Sequence, residues 1–285
     1  MLPVIHFLGF KIPTFMAVMV VCYAVAFVWC VRWGIKQGID RQDVFDGTIV
    51  GCITAVFGAK LGHVLFESTG HQLEGGHVAT GILDLLKADP WHWARIEDPG
   101  YVWYGGALAL VPVALWFTRS RGIDRGKAAD AGAPALALGV ALGRLGCFLG
   151  GCCYGRPTDV PWGVHFPHGE AAALGPVHPT QLYEAAVGVL MVLYVIWRFP
   201  RRKVEGELLA TVTVVYALQR FLTEFFRGDA ERGIHAGFGT SQLISIPVFV
   251  VGVGVLAWLW RHGTRVVSQQ ESPEPAPPSA PEAAA

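Results

Sequence analysis

The residues best equipped for chemistry in this chain are ionisable side chains set inside long apolar stretches. Arg144 and Arg220 fall within such stretches, and Arg227 borders one. In another, Lys60, His63 and Glu67 recur at i, i+3 and i+7, which places them on one helical face. A charge at the centre of a bilayer costs at least ~2.5 kcal/mol, so one that is retained normally faces a polar cavity or a partner. Snorkelling to the interface suits Glu67 and suits Lys60 poorly. A second polar stripe joins Tyr216, Arg220, Glu224 and Arg227 at i, i+4, i+8 and i+11, with Arg220 and Glu224 spaced to pair along a helix. A self-neutralised pair that only glues helices would leave Tyr216 and Arg227 unexplained. Three arginines at this depth point to an anion with several oxygens, because the rigid guanidinium fork matches phosphate. In a bilayer the abundant candidate is a phospholipid headgroup.

Two further runs carry polar chemistry. Gly143-Arg144-Leu145-Gly146 leads into Cys147, Gly150, Gly151, Cys152, Cys153, Tyr154, Gly155 and Arg156, where the glycines let backbones approach closely and free N–H groups to face a ligand. The run His178-Pro179-Thr180-Gln181-Leu182-Tyr183-Glu184 sets His178, Gln181 and Glu184 on roughly one face; His178 is a proton carrier or a helix cap.

The elements that hold these residues follow from composition. Hydrophobic residues make up 53% of the chain and charged ones 15%, well below the ~25% of soluble domains, with mean hydropathy +0.43. Net charge is zero, so no global basic field recruits nucleic acid. Seven segments approach the ~20 apolar residues that cross a bilayer: Thr14–Trp33, Asp46–Glu67, Val102–Phe117, Ala128–Leu149, Thr180–Trp197, Gly206–Phe226 and Ser241–Trp260. The expected fold is therefore all-α, a polytopic membrane protein of about seven transmembrane helices. The first segment lacks a small-residue cleavage pattern and reads as a retained span. Thirteen Lys and Arg residues fall in the loops after spans one, three and five and in the tail, against six on the opposite side, which puts the N-terminus outside and the C-terminus in the cytoplasm. Residues 1–265 form a single membrane domain, and the Pro-, Ala- and Glu-rich tail, 266–285, is expected to be disordered. The external stretch Ser68–Gly100, with Trp91 and Trp93, reads as interfacial helix. Cys22, Cys30 and Cys52 lie in apolar segments as small hydrophobes, whereas Cys147, Cys152 and Cys153 cluster.

Three blocks of the chain resemble the bacterial prolipoprotein diacylglyceryl transferase family. They are Gly143–Gly146 through Gly155-Arg156-Pro157-Thr158-Asp159 with Pro161-Trp162-Gly163, the run from His178, and the stripe from Tyr216 through Glu224-Phe225-Phe226-Arg227. The resemblance implies a seven-span inner-membrane enzyme that moves the diacylglyceryl unit of phosphatidylglycerol onto the lipobox cysteine of a preprolipoprotein signal peptide, releasing glycerol phosphate, with no metal or cofactor required. It implies catalytic roles for Arg144, Arg220, Tyr104, Tyr216 and Glu224. Substrate-binding roles would fall to Lys60, His63, Gly105, Gly106, Gly155, His178, Gln181, Glu184 and Arg227.

The chain departs from the family pattern at informative places. Tyr104-Gly105-Gly106 stands where the family usually has His-Gly-Gly, and Cys147, Gly150 and Cys152 replace two Asn and a Glu. Tyrosine, with a pKa near ~10, is a poor base at neutral pH, although its hydroxyl still donates to phosphate oxygen. Three readings of these changes stay open: activity that survives with slower or different proton handling through Tyr104, a disulfide from Cys147 to Cys152 or Cys153 that replaces the lost hydrogen bonds, or thiol chemistry or metal ligation, against which the spacing argues because it is not a zinc pattern. Beside the transferase stand two alternatives, a membrane thiol–disulfide protein on the same scaffold and a non-catalytic phospholipid-binding protein.

Overall fold

Long runs of Val, Leu, Ala and Phe with their backbone polar groups paired inside each segment can enter lipid only as helices or closed barrels, and this chain forms helices. A computed structural model describes residues 4–7, 10–66, 103–168, 170–228, 234–235 and 238–266. Seven long helices appear: α1 Thr14–Lys36, α2 Arg41–Phe66, α3 Trp103–Ser120, α4 Arg125–Gly150, α5 Thr180–Arg198, α6 Glu207–Thr223 and α7 Thr240–His262. Each corresponds to one expected span. Two short antiparallel hairpins, Val4–Phe7 with Phe10–Pro13 and Ile234–His235 with Phe238–Gly239, precede α1 and α7.

Among the described residues, six of the helices are long and apolar enough to cross a membrane, and their lipid-facing surfaces carry exposed Val, Leu, Ile and Phe. The exception is α3. Its 18 residues rise about 27 Å, nearly a bilayer core, but Tyr104, two glycines, Pro112, Arg119 and Ser120 dilute its apolar content. This is a polytopic membrane protein. Glu67, the Ser68–Gly100 stretch with Trp91 and Trp93, and the tail from Val267 lie outside the described residues.

Small residues set the spacing between helices, as expected where lipid removes the hydrophobic drive for association. A methyl group on Gly58 would sit 2.5 Å from the Ala109 Cβ and 2.9 Å from the Gly105 carbonyl, so α2 and α3 touch backbone to backbone. Likewise, a methyl on Gly188 of α5 would meet the Ala141 nitrogen of α4 at 2.5 Å. Around these contacts Trp33, Ala133, Ala137, Val140, Met191, Val195, Leu208 and Val212 form the core shared by α1, α4, α5 and α6.

One end of the bundle is locked by a buried polar network that sequence reading missed. Fully buried Asp130 of α4 accepts from the backbone N–H groups of Gly206 at 3.0 Å and Leu208 at 2.8 Å, capping α6, and pairs with Arg202 at 3.1 Å. Arg198 pairs with buried Glu207 alongside it. Replacing Asp130 with alanine would leave two helix donors unpaired and take from buried Arg202 its nearer carboxylate, with Glu205 remaining at 3.9 Å. The expected cost is about 3–5 kcal/mol, read as a lowered thermal midpoint in detergent, with Asp130→Asn recovering part of it.

Candidate active site

Alternation of seven helices dictates where the polar residues gather. The C-terminal ends of α2, α4 and α6 and the N-terminal ends of α3, α5 and α7 share one end of the bundle. Lys60, His63, Arg144, Cys147, Gln181, Glu184, Arg220 and Tyr104 all fall on those ends, opposite the Asp130 network.

The centre of the site is Glu184, one turn into α5 and fully buried. Arg144 of α4 approaches its Oε2 at 3.0 Å, Arg220 of α6 its Oε1 at 3.6 Å, and Arg227 the same oxygen at 4.0 Å. Gln219 donates to Oε2 at 3.3 Å. Arg220 reaches further, donating to the Ser241 hydroxyl of α7 at 2.6 Å and pairing with Glu224 at 3.3 Å, as its spacing predicted. Tyr216, one turn earlier on α6, lies near Arg144. Three guanidiniums therefore meet two carboxylates among the described residues, in a poorly solvated region. Arg220 Nη1 makes no hydrogen bond among the described residues. Guanidiniums clustered at this depth, one of them keeping such a donor, suit an anion with several oxygens.

Arg227 joins this cluster by a different route from the one its spacing suggests. The helix ends at Thr223, Glu224–Phe226 form a 3-10 turn, and Arg227 has extended backbone that bridges antiparallel to Gly155. The i+11 stripe is thus broken at its end, and the loop after α4 pulls Arg227 inward. Gly155 makes that approach possible. A methyl there would sit 2.5 Å from the Phe226 carbonyl oxygen and 2.7 Å from the His178 Cβ. Gly155→Ala should force the strands apart and lower stability by about 1–3 kcal/mol, whereas Gly150→Ala, with nothing within 4 Å of the added methyl, should leave the thermal midpoint unchanged.

The expectation that glycines free N–H groups for a ligand is corrected. The Gly151 and Cys152 N–H groups close the end of α4 on the Phe148 and Cys147 carbonyls, and Gly155 and Arg156 donate to the His178 and Phe226 carbonyls. These donors are spent on the fold because the loop must be pinned to carry Arg227. His178 also stands apart from the arginines. Its Nδ1 lies 3.2 Å from the Tyr183 hydroxyl, which accepts from Trp162 at 2.8 Å, and its ring packs edge-on to Phe226. The helix begins only at Thr180, so His178 does not share the face of Gln181 and Glu184. Gln181, fully buried, instead holds the Cys152 carbonyl at 2.7 Å.

Lys60 and His63 are buried in the C-terminal part of α2, with Lys60 only 1% exposed. Gly105 and Gly106 pack against α2 backbone and serve close approach. Tyr104 is the second residue of α3, and its side chain lies outside the described residues. No disulfide joins Cys147, Cys152 and Cys153. Hydrogen bonds from Cys147 and Cys152, with the nearby Arg227 and Arg144, hold the Cys153 thiol well below the usual cysteine range. Sequence reading missed Gln219 and Ser241; the signal was there in Ser241, Gln242 and Ser245, polar residues at helical spacing in the first turns of an otherwise apolar span.

Known proteins bear on this arrangement. A family model described as prolipoprotein diacylglyceryl transferase matches residues 3–258. A protein of Vibrio vulnificus strain YJ016, named phosphatidylglycerol–prolipoprotein diacylglyceryl transferase, is 33% identical over 230 residues, covering 80% of this chain and 79% of the relative. A protein of the same name from Geobacter sulfurreducens is 35% identical over 218 residues, covering 75% of this chain and 77% of its own.

Proposed function

Because this chain belongs to the prolipoprotein diacylglyceryl transferase family, we propose that the arginine cluster grips the phosphate of phosphatidylglycerol while a lipobox cysteine displaces it. The observation that carries the reading is the convergence of Arg144, Arg220 and Arg227 on one buried carboxylate, with Arg220 Nη1 making no hydrogen bond among the described residues. Family membership supports transfer over thiol–disulfide exchange or passive lipid binding.

In the transfer step the acceptor sulfur attacks the glycerol carbon that bears the phosphate, a carbon–sulfur bond forms and the carbon–oxygen bond to phosphate breaks. The electron pair leaves with glycerol phosphate. Negative charge builds on the leaving oxygens, so preorganised guanidiniums aimed at them stabilise the transition state more than the ground state. Glu184 and Glu224 serve as anchors that hold the arginines in place. The thiol proton finds its acceptor on the leaving monoester, whose second ionisation lies near ~6. Tyr216 stands as a hydroxyl donor to the phosphate. Lys60 and His63 add buried polar groups at the same end of the bundle, and Gln181, Gly105, Gly106 and Gly155 hold the close packing around the arginines.

The basic loops support a topology with the N-terminus and the site on the periplasmic side of the cytoplasmic membrane, residues 1–265 as one membrane domain and the tail in the cytoplasm. Signal peptides bearing a lipobox cysteine would reach the site from the bilayer. Complementation of a bacterial strain depleted of its own transferase tests lipid, acceptor and orientation together. Rescue by this chain, and none by its Arg144→Ala form at equal membrane abundance, is the expected outcome. Absence of rescue by the unaltered chain, present in the membrane, would refute the reading.

A further inference from the structure

Cys147, Cys152 and Cys153 take no part in the transfer step, yet their three sulfur atoms lie within 4.8 Å of one another. Their spacing in sequence does not announce this. Gly151 closes α4 in a left-handed conformation, φ 76°, and the N–H groups of Gly151 and Cys152 bond to the Phe148 and Cys147 carbonyls. That pair of bonds turns the chain back over the end of its own helix, so residues five and six positions after Cys147 come to lie beside it. Cys153 is held at φ 63°, the only positive φ outside glycine among the described residues. Such a conformation is strained for a residue with a side chain and persists where the surroundings impose it, often at functional sites. Here the surroundings are explicit. The Thr180 hydroxyl and Gln181 amide of α5 grip the carbonyls of Cys153 at 2.9 Å and Cys152 at 2.7 Å.

We propose that these three cysteines form a binding site for a thiophilic closed-shell cation of the Zn(II) or Cu(I) class, with the remaining coordination position open to water. Sulfurs bound at ~2.3 Å around a tetrahedral ion lie about 3.8 Å apart, within reach of the observed cluster by small rotations of the side chains. Soft thiolates select such ions over hard cations. Cys152 is exposed and gives the ion its way in, while Cys147 and Cys153 are shielded. On binding Zn(II), three sulfur–metal bonds form and each sulfur that is still protonated gives its proton to solvent, leaving a complex of net charge minus one. Arg144 and Arg227 lie close enough to Cys153 to balance that charge. The inference does not rest on the transferase reading, since none of its three ligands belongs to the proposed transfer machinery.

Titration of the reduced full-length chain in detergent with Cd(II) tests it, through the ultraviolet charge-transfer band of metal-bound thiolate. The expected result is saturation at one Cd(II) per chain, and release of Zn(II) from the preloaded chain as Cd(II), the softer ion, replaces it. Cys152→Ser, at the exposed position where folding is least at risk, should weaken binding by at least about 10²-fold, since even indirect support of a ligand is worth 10–100-fold. Cys22→Ser, a cysteine buried elsewhere, should bind like the unaltered chain. Absence of the band in the unaltered chain, or a band that persists undiminished in both Cys152→Ser and Cys153→Ser, would overturn the assignment.

Discussion

Arg220→Ala lowers the rate of diacylglyceryl transfer by about 10²–10³-fold, the usual loss when one preorganised donor to a developing oxyanion is removed. The geometry makes Arg220 the hinge of the site. It is 4% exposed, spans Glu184, Glu224 and Ser241, and keeps Nη1 without a hydrogen bond among the described residues. Lysine does not replace it. A single ammonium cannot reach two carboxylates and a hydroxyl and still present a second donor to phosphate, so Arg220→Lys stays within about tenfold of the alanine variant. Initial rates with labelled phosphatidylglycerol, compared at equal amounts of monodisperse protein, check both variants. Near-normal rates for Arg220→Lys would show that only charge at this position matters.

Glu184→Ala acts on folding before it acts on rate. Three guanidiniums would be left with Glu224 as their only carboxylate among the described residues, and breaking a buried pair by removing one partner costs about 3–5 kcal/mol. The variant is expected to lose most of its folded population in detergent, seen as a collapse of the thermal midpoint. Glu224→Gln is the contrast. Its side chain is 11% exposed and pairs with one arginine, so its midpoint should fall by much less. Equal losses in the two variants would contradict the role of Glu184 as common anchor.

Much of this arrangement was legible in the sequence because membranes simplify the code. Apolar length marked each helix, and every ionisable residue inside one had to have a reason to be there. Arg144 and Arg220 stood out on that ground, and alternation of seven spans alone brings them to one end of the bundle. The pairing of Arg220 with Glu224 followed from an i, i+4 spacing. What remained hidden depends on where helices stop. Arg227 reads as a continuation of a helical stripe, but the helix ends four residues earlier and a bridge to Gly155 carries it inward. His178 reads as part of a helical face, but the helix starts two residues later. The Asp130 network was invisible because its partners are backbone N–H groups of Gly206 and Leu208, which no side-chain pattern reports. The three thiols looked ill-spaced for a common ligand until the left-handed Gly151 turned them together.

The central claim is that buried guanidiniums hold a phosphoester while a thiol displaces it. The most direct measurement uses the purified chain in vesicles of phosphatidylglycerol labelled separately in its diacylglycerol and headgroup portions, with a lipobox peptide as acceptor. The account predicts diacylglyceryl label on the cysteine-containing peptide, an equal amount of headgroup label released as glycerol phosphate, and neither with a Cys→Ser peptide. Lipid that binds at the arginines yet keeps both labels, with the peptide unmodified and the protein folded, would contradict it.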